Sequence, residues 1–338
     1  MSVCIAGLAW VTPLGAELDI VWDRIERGER GEVKPLENPE THRLYEYAPV
    51  PPKLVEQLGR NPRLRRSSAI SYFAVAAGLA ALENAGSPVT PENAPRTAVV
   101  FAITDGGVLY TRRFYEQIAK QGAQAASPLL FPETVYNAPA SHLAALLGID
   151  GASYTLVGDN SVGLAALHFA TQLLETSDLE QVVVVGSEEV DWVLCEAYRD
   201  WRLTGNQVLL SEGAGAVVLK RSGGPELRVH PGVSYFRRRE AGAALEQALA
   251  GFSNGAHLVV GSANGTFVDE LESSALSRLG VQAPVIHPKH SLGEAPGASA
   301  LWQIVTAALA VEKRGLGSAL VPVLGYNQQA SAALITRA

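Results

Sequence analysis

The sequence predicts a layered α/β domain in which helices pack on the faces of sheets. Short apolar segments rich in Val, Ile and Ala alternate with longer segments of helical periodicity, and turns containing glycine or proline separate them. In addition, residues 99–107 and 258–266 each combine a buried-type strand with a loop in which a polar residue precedes glycine. This short internal repeat favours two similar halves in a pseudo-twofold arrangement.

Strands and helices alternate through the first part of the chain. Apolar runs predict strands at 3–8, 96–103, 154–157, 182–185 and 213–219. Helical spacing predicts helices at 18–25, 67–85, 141–147 and 162–174, and one through Tyr115 and Ile118.

Two of these segments carry a more specific expectation. Residues 30–63 are rich in proline and charge, which is typical of a surface loop. The helix at 67–85 is dense in alanine and apolar on nearly all sides. A helix of this kind is buried on most faces, so we expect it in a central layer between two sheets.

The same alternation restarts after the break at Gly223, Gly224 and Pro225. It predicts strands at 227–229 and 257–261 and helices at 241–250 and 270–279. We therefore expect residues 1–338 to form a single domain, with an N-terminal half at 1–221 and a C-terminal half at 222–338.

Composition excludes several classes of protein. The formal net charge is −7, and no basic stripe is present. The two densest basic clusters, at 63–66 and 237–239, contain only three arginines each, so no nucleic-acid partner is expected. No apolar run is long enough to span a bilayer, and no basic leader precedes the apolar N-terminus, so we expect a cytoplasmic protein that does not bind membranes. Two cysteines are too few for a disulfide framework or a cysteine-based zinc site.

Six motifs, in order along nearly the whole chain, resemble β-ketoacyl-acyl carrier protein synthases. They are the opening Ile5–Gly15, Ser127-Pro128 with Asn137 before the helix that ends at Leu147-Gly148, Val184–Glu189, Ser211–Ala216, Asn264-Gly265-Thr266 with Asp269 and Glu272, and Lys289 followed by Gly293, Gly297 and Ala298. The resemblance implies a thiolase-like fold with five layers, α/β/α/β/α, made of two pseudo-repeated halves. It also implies that residues 1–221 and 222–338 are the ketosynthase N-terminal-like and C-terminal-like halves, and that the protein assembles as a dimer.

The departures from the family pattern lie at its catalytic positions. Aligning the glycine of the family's nucleophile motif on Gly163 places the catalytic cysteine at Asn160, and the two catalytic histidines at Asn264 and Glu294. Only Lys289 is retained. The amide of Asn160 has no nucleophilic lone pair, so it cannot form an acyl thioester. Asn264 can still donate a hydrogen bond to a carbonyl, whereas an ionised Glu294 repels a developing enolate; a protonated Glu294 would donate.

Other side chains near these positions are candidates for a replacement nucleophile or a metal ligand. Ser161 is one residue beyond the cysteine position, which turns its side chain by about 100 degrees on a helix, so we interpret Asp159 and Ser161 mainly as capping groups. His287 and His290 have a metal-ligand spacing, but lie in a loop flanked by proline with no third ligand nearby in sequence. No metal site and no cofactor are therefore expected. We interpret Cys195 as a small apolar residue that packs in the core.

Substrate handling also departs from the family pattern. The glycine-rich gating loop that carries a phenylalanine in the family corresponds to Leu324–Gln329, with Tyr326 at the gate position. The stretches between Cys195 and Ser211 and between Gly224 and His257 are short relative to the family. The resemblance implies that Ser161, Thr266 and Tyr326 would line any substrate site.

The leading hypothesis is a non-catalytic subunit of the chain-length-factor type, in a type II polyketide, aryl-polyene or fatty-acid condensing system. Its expected partners are an active β-ketoacyl synthase, as a heterodimer, and acyl carrier protein. One alternative is an enzyme that decarboxylates malonyl thioesters, or transfers or hydrolyses acyl groups, without the cysteine. Another is a homodimeric binding or scaffold protein.

Overall fold

The structure, a computed structural model, describes residues 2–200, 208–253 and 255–337. The strands in these ranges are β1 (Cys4–Val11), β2 (Lys34–Glu37), β3 (Leu44–Ala48), β4 (Thr97–Ile103), β5 (Ser153–Val157), β6 (Gln181–Glu188), β7 (Leu210–Ser211), β8 (Gly213–Lys220), β9 (Glu226–Val229), β10 (Val233–Ser234), β11 (Val259–Val260), β12 (Val285–Ile286), β13 (Ser318–Leu324) and β14 (Gln329–Thr336). The helices are α1 (Leu18–Glu26), α2 (Ala69–Asn84), α3 (Val108–Gln121), α4 (Ala138–Leu147), α5 (Val162–Thr176), α6 (Trp192–Asp200), α7 (Ala241–Leu249), α8 (Phe267–Arg278), α9 (Lys289–Leu292) and α10 (Pro296–Lys313).

The main sheet is built from two halves with the same internal order. The first half runs β5-β4-β6-β8-β1 from its edge, and the second runs β12-β11-β13-β14-β9. In each half the first three strands are parallel and the last two are antiparallel to their neighbours. The halves meet where Cys4 of β1 pairs with Glu226 of β9. The repeat seen at 99–107 and 258–266 corresponds to β4 and β11, which occupy equivalent places in the two halves, so the predicted duplication is confirmed.

Three hydrophobic clusters separate the layers. One lies between α2, α4 and the first half-sheet, and another lies between α7, α8 and the second half-sheet. The third and largest surrounds α5 and α10, which contact strands of both half-sheets. The order of layers is therefore α/β/α/β/α, and the predicted five-layered thiolase-like arrangement is confirmed.

Close backbone approach fixes α10 against β6. A Cβ atom at Gly186 of β6 would clash with the carbonyl oxygen of Gly297, and one at Gly163 of α5 would lie 2.8 Å from the Cβ of Ala300. Because only glycine tolerates such contacts, these residues let the two central helices pack closely. The packing brings the start of α10 and the end of β6 together beside the start of α5.

Two predictions about placement were wrong. The alanine-rich helix α2 does not lie in the central layer, because it packs on the outer face of the first half-sheet and keeps Leu79, Glu83 and Asn84 at the surface. Residues 30–63 are not a plain loop, since β2 and β3 form a hairpin whose second strand pairs with β7. Among the described residues, no helix is both long and apolar enough to cross a membrane.

Candidate functional site

The position assigned to the catalytic cysteine lies in a tight turn between β5 and α5. Asn160 is 2% exposed, and its side-chain Nδ2 has no hydrogen-bond partner among the described residues. A buried amide N–H without a partner costs free energy, on the order of 1–3 kcal/mol. The turn therefore presents a buried polar donor without a nucleophile.

The neighbours of Asn160 are bonded to each other. The carboxylate Oδ1 of Asp159 accepts hydrogen bonds from the backbone N of Ser161 at 2.9 Å and from its Oγ at 2.7 Å. Ser161 is the N-cap of α5, yet its side chain makes no capping bond to the first turn. The capping prediction was thus wrong for the Ser161 side chain, because its hydroxyl donates to Asp159 instead.

The three remaining catalytic positions form one network in the second half. Asn264 Nδ2 donates to Glu294 Oε2 at 2.6 Å and to the Tyr326 hydroxyl at 2.5 Å. Lys289 Nζ donates to the same Glu294 oxygen at 2.8 Å, and the side chains of this ion pair are 3% and 1% exposed. Asn264, Lys289 and Glu294, three of the predicted site residues, are therefore brought together.

The direction of the hydrogen bonds in this network differs from that expected for a pair of histidine donors. Both neighbours of Glu294 donate to its Oε2, so the structure uses Glu294 as an acceptor, and its Oε1 has no partner among the described residues. The Asn264 amide and the Lys289 ammonium direct hydrogens towards Glu294. An oxyanion at this place would compete with the carboxylate for the same donors.

Thr266 and Asp269 fix Asn264 from the other side. Thr266 Oγ1 donates to Asn264 Oδ1 at 2.7 Å and accepts from Val268 N, which makes it the N-cap of α8. The Asp269 carboxylate accepts the backbone N–H groups of Asn264 and Gly265 at 2.8–3.1 Å. Thr266 is thus occupied as a support for Asn264.

Tyr326 lies in a loop that connects the two parts of the site, the Asn160 turn and the Asn264 network. Its loop follows β13, and its ring meets Tyr198 and Phe267 at centroid distances of 6.3 and 6.1 Å. Burial, with the nearby Glu294 carboxylate, raises the pKa of the Tyr326 hydroxyl well above its ordinary value. The next residue, Asn327, donates its backbone N–H to Asp159 Oδ2 at 2.7 Å. The loop therefore contacts the Asn160 turn at one residue and the Asn264 network at another.

A pair of carboxyl groups beside the site, the buried Glu188 and the half-buried Asp105, was not predicted from the sequence. Glu188 Oε2 accepts from Gly297 N at 3.1 Å, and Asp105 Oδ2 accepts from the Tyr198 hydroxyl at 3.2 Å. Burial raises the pKa of Asp105 to about 6, and burial together with Asp105 raises that of Glu188 well above its ordinary value. The available signal for Glu188 was the pair of consecutive glutamates, Glu188 and Glu189, at the end of a buried apolar strand.

A surface cleft reaches the network from outside. Asn264, Lys289 and Glu294 contribute to its lining, together with Cys195 and Arg199. Cys195 is 5% exposed, and burial raises the pKa of its thiol to about 12, so it is not an activated nucleophile.

The two histidines considered as metal ligands lie beside the network, because His290 lines the same cleft as Asn264 and Lys289. The loop prediction was wrong for His290, which lies in helix α9. The His287 and His290 rings, at the junction of β12 and α9, are 5.1 Å apart between centroids. Within the described ranges, no group of three or more His, Cys, Asp and Glu residues is placed to hold a metal ion.

A doubly repeated α/β fold, with its polar groups gathered where the central helices begin, defines a thiolase-like protein. The chain belongs to the β-ketoacyl synthase family, since the family model "Beta-ketoacyl synthase, N-terminal domain" matches residues 1–223. The resemblance inferred from the motifs is thereby confirmed.

Individual relatives are distant. The chain is 23% identical over 237 residues to 3-oxoacyl-[acyl-carrier-protein] synthase 2 of Vibrio cholerae, which covers 64% of the chain and 57% of that enzyme. It thus spans less than two thirds of the length of that enzyme.

Solved structures match over the full chain. A chain of the ishigamide ketosynthase/chain length factor is 22% identical with a TM-score of 0.82, covering 100% of this chain and 99% of that one. A chain of the ketosynthase ApeO in complex with its chain length factor ApeC from Xenorhabdus doucetiae is 15% identical with a TM-score of 0.80, covering 100% and 98%. At these identities the matches show the fold.

Proposed function

We propose that this protein is a non-catalytic β-ketoacyl synthase-like subunit that pairs with an active β-ketoacyl synthase, in the manner of a chain length factor. The observation that carries the proposal is the closed network of Asn264, Lys289 and Glu294. Its donors are already bound to a buried carboxylate, and Asn160 offers no nucleophile. A condensing reaction needs both a thiolate and free donors for the developing negative charge.

An exposed sheet edge supports the pairing part of the proposal. Strand β5 ends the first half-sheet, and its Tyr154 and Val157 side chains are 41% and 54% exposed, although the other strands of this half-sheet are almost wholly buried. An edge of this kind presents unpaired backbone groups to a second strand. Apolar side chains at Leu129, Phe131 and Tyr136 are also exposed.

The two structural neighbours named above are described as ketosynthases with chain length factors. A third match is an acyl-carrier protein in complex with its ketosynthase from a type II polyketide system. We accordingly propose a condensing system for polyketides, aryl polyenes or fatty acids as the setting, with acyl carrier protein as the shared partner.

Co-expression with an active ketosynthase encoded nearby tests both parts of the proposal. The two chains should co-purify, and intact mass after incubation with malonyl- and acyl-carrier protein should show acylation of the ketosynthase alone. Val157→Arg should abolish co-purification, because it places a charge on the β5 edge. The matched control Ile20→Arg, at a residue of α1 that is 58% exposed, should leave it intact. Stable acylation of this chain would overturn the proposal, and purification as a homodimer alone would favour a scaffold protein.

One observation favours a second candidate function, the decarboxylation of malonyl thioesters. The Asn160 Nδ2 group is buried and unpaired among the described residues, so it is free to donate to a thioester carbonyl. On this hypothesis Asn160→Ala would lower the rate of CO₂ release from malonyl-acyl carrier protein by about 100-fold. If Asn160→Ala released CO₂ as fast as the unsubstituted protein, or if the unsubstituted protein released none, this candidate function would be excluded.

A further inference from the structure

We infer that the cavity between α8 and β12 is a ligand site for a small organic cation, of the class of short primary alkylammonium ions. The cavity has a volume of about 370 Å³, and it is lined by α8 on one side and by residues 281–290 on the other. Sites for small molecules begin at about 300 Å³, so this volume suits a ligand of few atoms. The inference concerns the isolated chain and does not depend on the proposed function.

Glu272 contributes a buried carboxylate oxygen that is not used within the fold. The residue lines the cavity and is 2% exposed, and its Oε2 accepts from the backbone N–H and the hydroxyl of Ser262 at 2.7 and 2.6 Å. Its Oε1 has no hydrogen-bond partner among the described residues. Burial raises the pKa of this carboxyl group although Lys289 lies near it. A cation beside Oε1 would stabilise the ionised form.

His287 places a second unpartnered atom near the first. Its Nδ1 is buried and has no hydrogen-bond partner among the described residues. A Cβ atom on Gly261 would lie 2.5 Å from Glu272 Oε1 and 2.8 Å from His287 Nδ1, so both atoms approach the same point. Burial lowers the pKa of His287, which favours the neutral ring, and Nδ1 accepts in the tautomer that carries its proton on Nε2. An ammonium group has three donors and can therefore bind Oε1 and Nδ1 together.

The rest of the lining suits an organic cation rather than an anion. Asp269 adds a second carboxylate, and no lysine or arginine occurs among the described residues that line the cavity. Leu276, Val281 and Val285 supply apolar surface for a short alkyl chain. Asp269 also accepts the backbone N–H of Asn264 at 2.8 Å, so a ligand bound here would contact the residue that positions Asn264.

Saturation-transfer NMR of the full-length protein, with n-butylammonium as the probe, tests the site. We expect a dissociation constant of about 1 mM or lower for this probe. Butyrate and n-butanol have a chain of similar size, and both should bind at least about tenfold more weakly, because neither supplies a positive charge to the carboxylate. Equal binding of n-butanol, or no binding of n-butylammonium, would overturn the inference.

Three variants locate the bound probe. Ser273→Trp fills the cavity from an exposed position of α8 and should abolish binding. Ser141→Trp, at an exposed position of α4 outside the cavity, is the matched control and should leave the dissociation constant unchanged. Glu272→Gln should weaken binding at least about tenfold, because its oxygen can still accept from Ser262 and its NH₂ group then faces the cavity.

Ser273→Trp changes an exposed residue, so the test does not depend on the folding of Glu272→Gln. The chain has a formal net charge of −7, and a cation can also be attracted to the surface as a whole. Binding of n-butylammonium that survives Ser273→Trp would be attraction of this kind and would contradict the site.

Discussion

Asn160 and Asn264 both stand at positions where the family alignment places catalytic groups, yet their surroundings are opposite. Asn160 is buried with an amide that has no partner among the described residues. Asn264 uses its amide on Glu294 and Tyr326 and its carbonyl on Thr266. In the network of Asn264, Lys289 and Glu294, the side chains at these positions bind one another. In the Asn160 turn, by contrast, the amide Nδ2 remains an unfilled hydrogen-bonding position among the described residues.

This difference indicates which residues now stabilise the fold. A buried ion pair must be kept intact, because removal of one partner leaves an uncompensated charge. An unpaired buried amide contributes little to stability, since its solvation was lost without a new bond. We therefore expect substitutions in the Asn264 network to lower the stability of the fold, and substitutions at Asn160 to have little effect on it.

The largest effect is expected at the ion pair. Lys289→Met should lower the free energy of unfolding by about 3–5 kcal/mol, because the Glu294 carboxyl group would remain buried without its partner. Urea titration followed by circular dichroism measures the loss. Lys313→Met, which breaks the exposed pair with Asp19, is the control and should cost less than about 1 kcal/mol. Equal losses in the two variants would mean that the buried pair has no special role.

The two asparagines give a direct test of the comparison. Asn264→Ala should cost about 2–3 kcal/mol, since it removes bonds to a charged carboxylate and to two hydroxyl groups. Asn160→Ala should cost no more than about 1 kcal/mol, because it also removes an unpaired buried donor. The same urea titrations measure both. A larger loss for Asn160→Ala would show that this amide has a partner in solution.

Three carboxyl groups, the buried Glu188 and the half-buried Asp105 and Glu212, predict how stability depends on pH. Burial raises the pKa of Asp105 to about 6 and that of Glu212 to about 7, and it raises that of Glu188 strongly. The folded protein then binds more protons than the unfolded chain between about pH 4 and 7, so these groups stabilise the fold at low pH and this contribution is lost as the pH rises.

Unfolding titrations at about pH 5 and about pH 8 should therefore show lower stability at the higher pH. Glu188→Gln is uncharged at every pH and should reduce the difference between the two values. A variant as sensitive to pH as the unvaried protein would assign the dependence to other groups.

The sequence predicted more of the fold than of the site. Apolar periodicity located most strands and helices, and the short repeat at 99–107 and 258–266 indicated the duplication. Periodicity failed for α2, because a helix that is apolar on most faces does not show which layer it occupies. It also failed for the β2–β3 hairpin, because proline and charge obscured the short strands.

At the site, motif alignment selected Asn160, Asn264, Lys289 and Glu294 as candidates, but it did not predict how they interact. The contact between Asp159 and Asn327 joins residues far apart in the chain, and local patterns carry no signal for it. The pairing of Lys289 with Glu294 likewise depends on the short helix α9 and the turn that follows it.

The smallest expected effect concerns the two cysteines, because burial raises the pKa of both thiols and disfavours the reactive thiolate. Cys195 is buried, and burial raises the pKa of its thiol to about 12, with Asp191 adding to the shift. Cys4 is also buried, and burial again raises its pKa. Because only the thiolate alkylates quickly, iodoacetamide at neutral pH should leave the folded protein unlabelled, while the urea-unfolded chain takes up two groups by intact mass. Rapid labelling of Cys195 in the folded protein would reveal a reactive thiol beside the cleft. This result would contradict the proposed non-catalytic function.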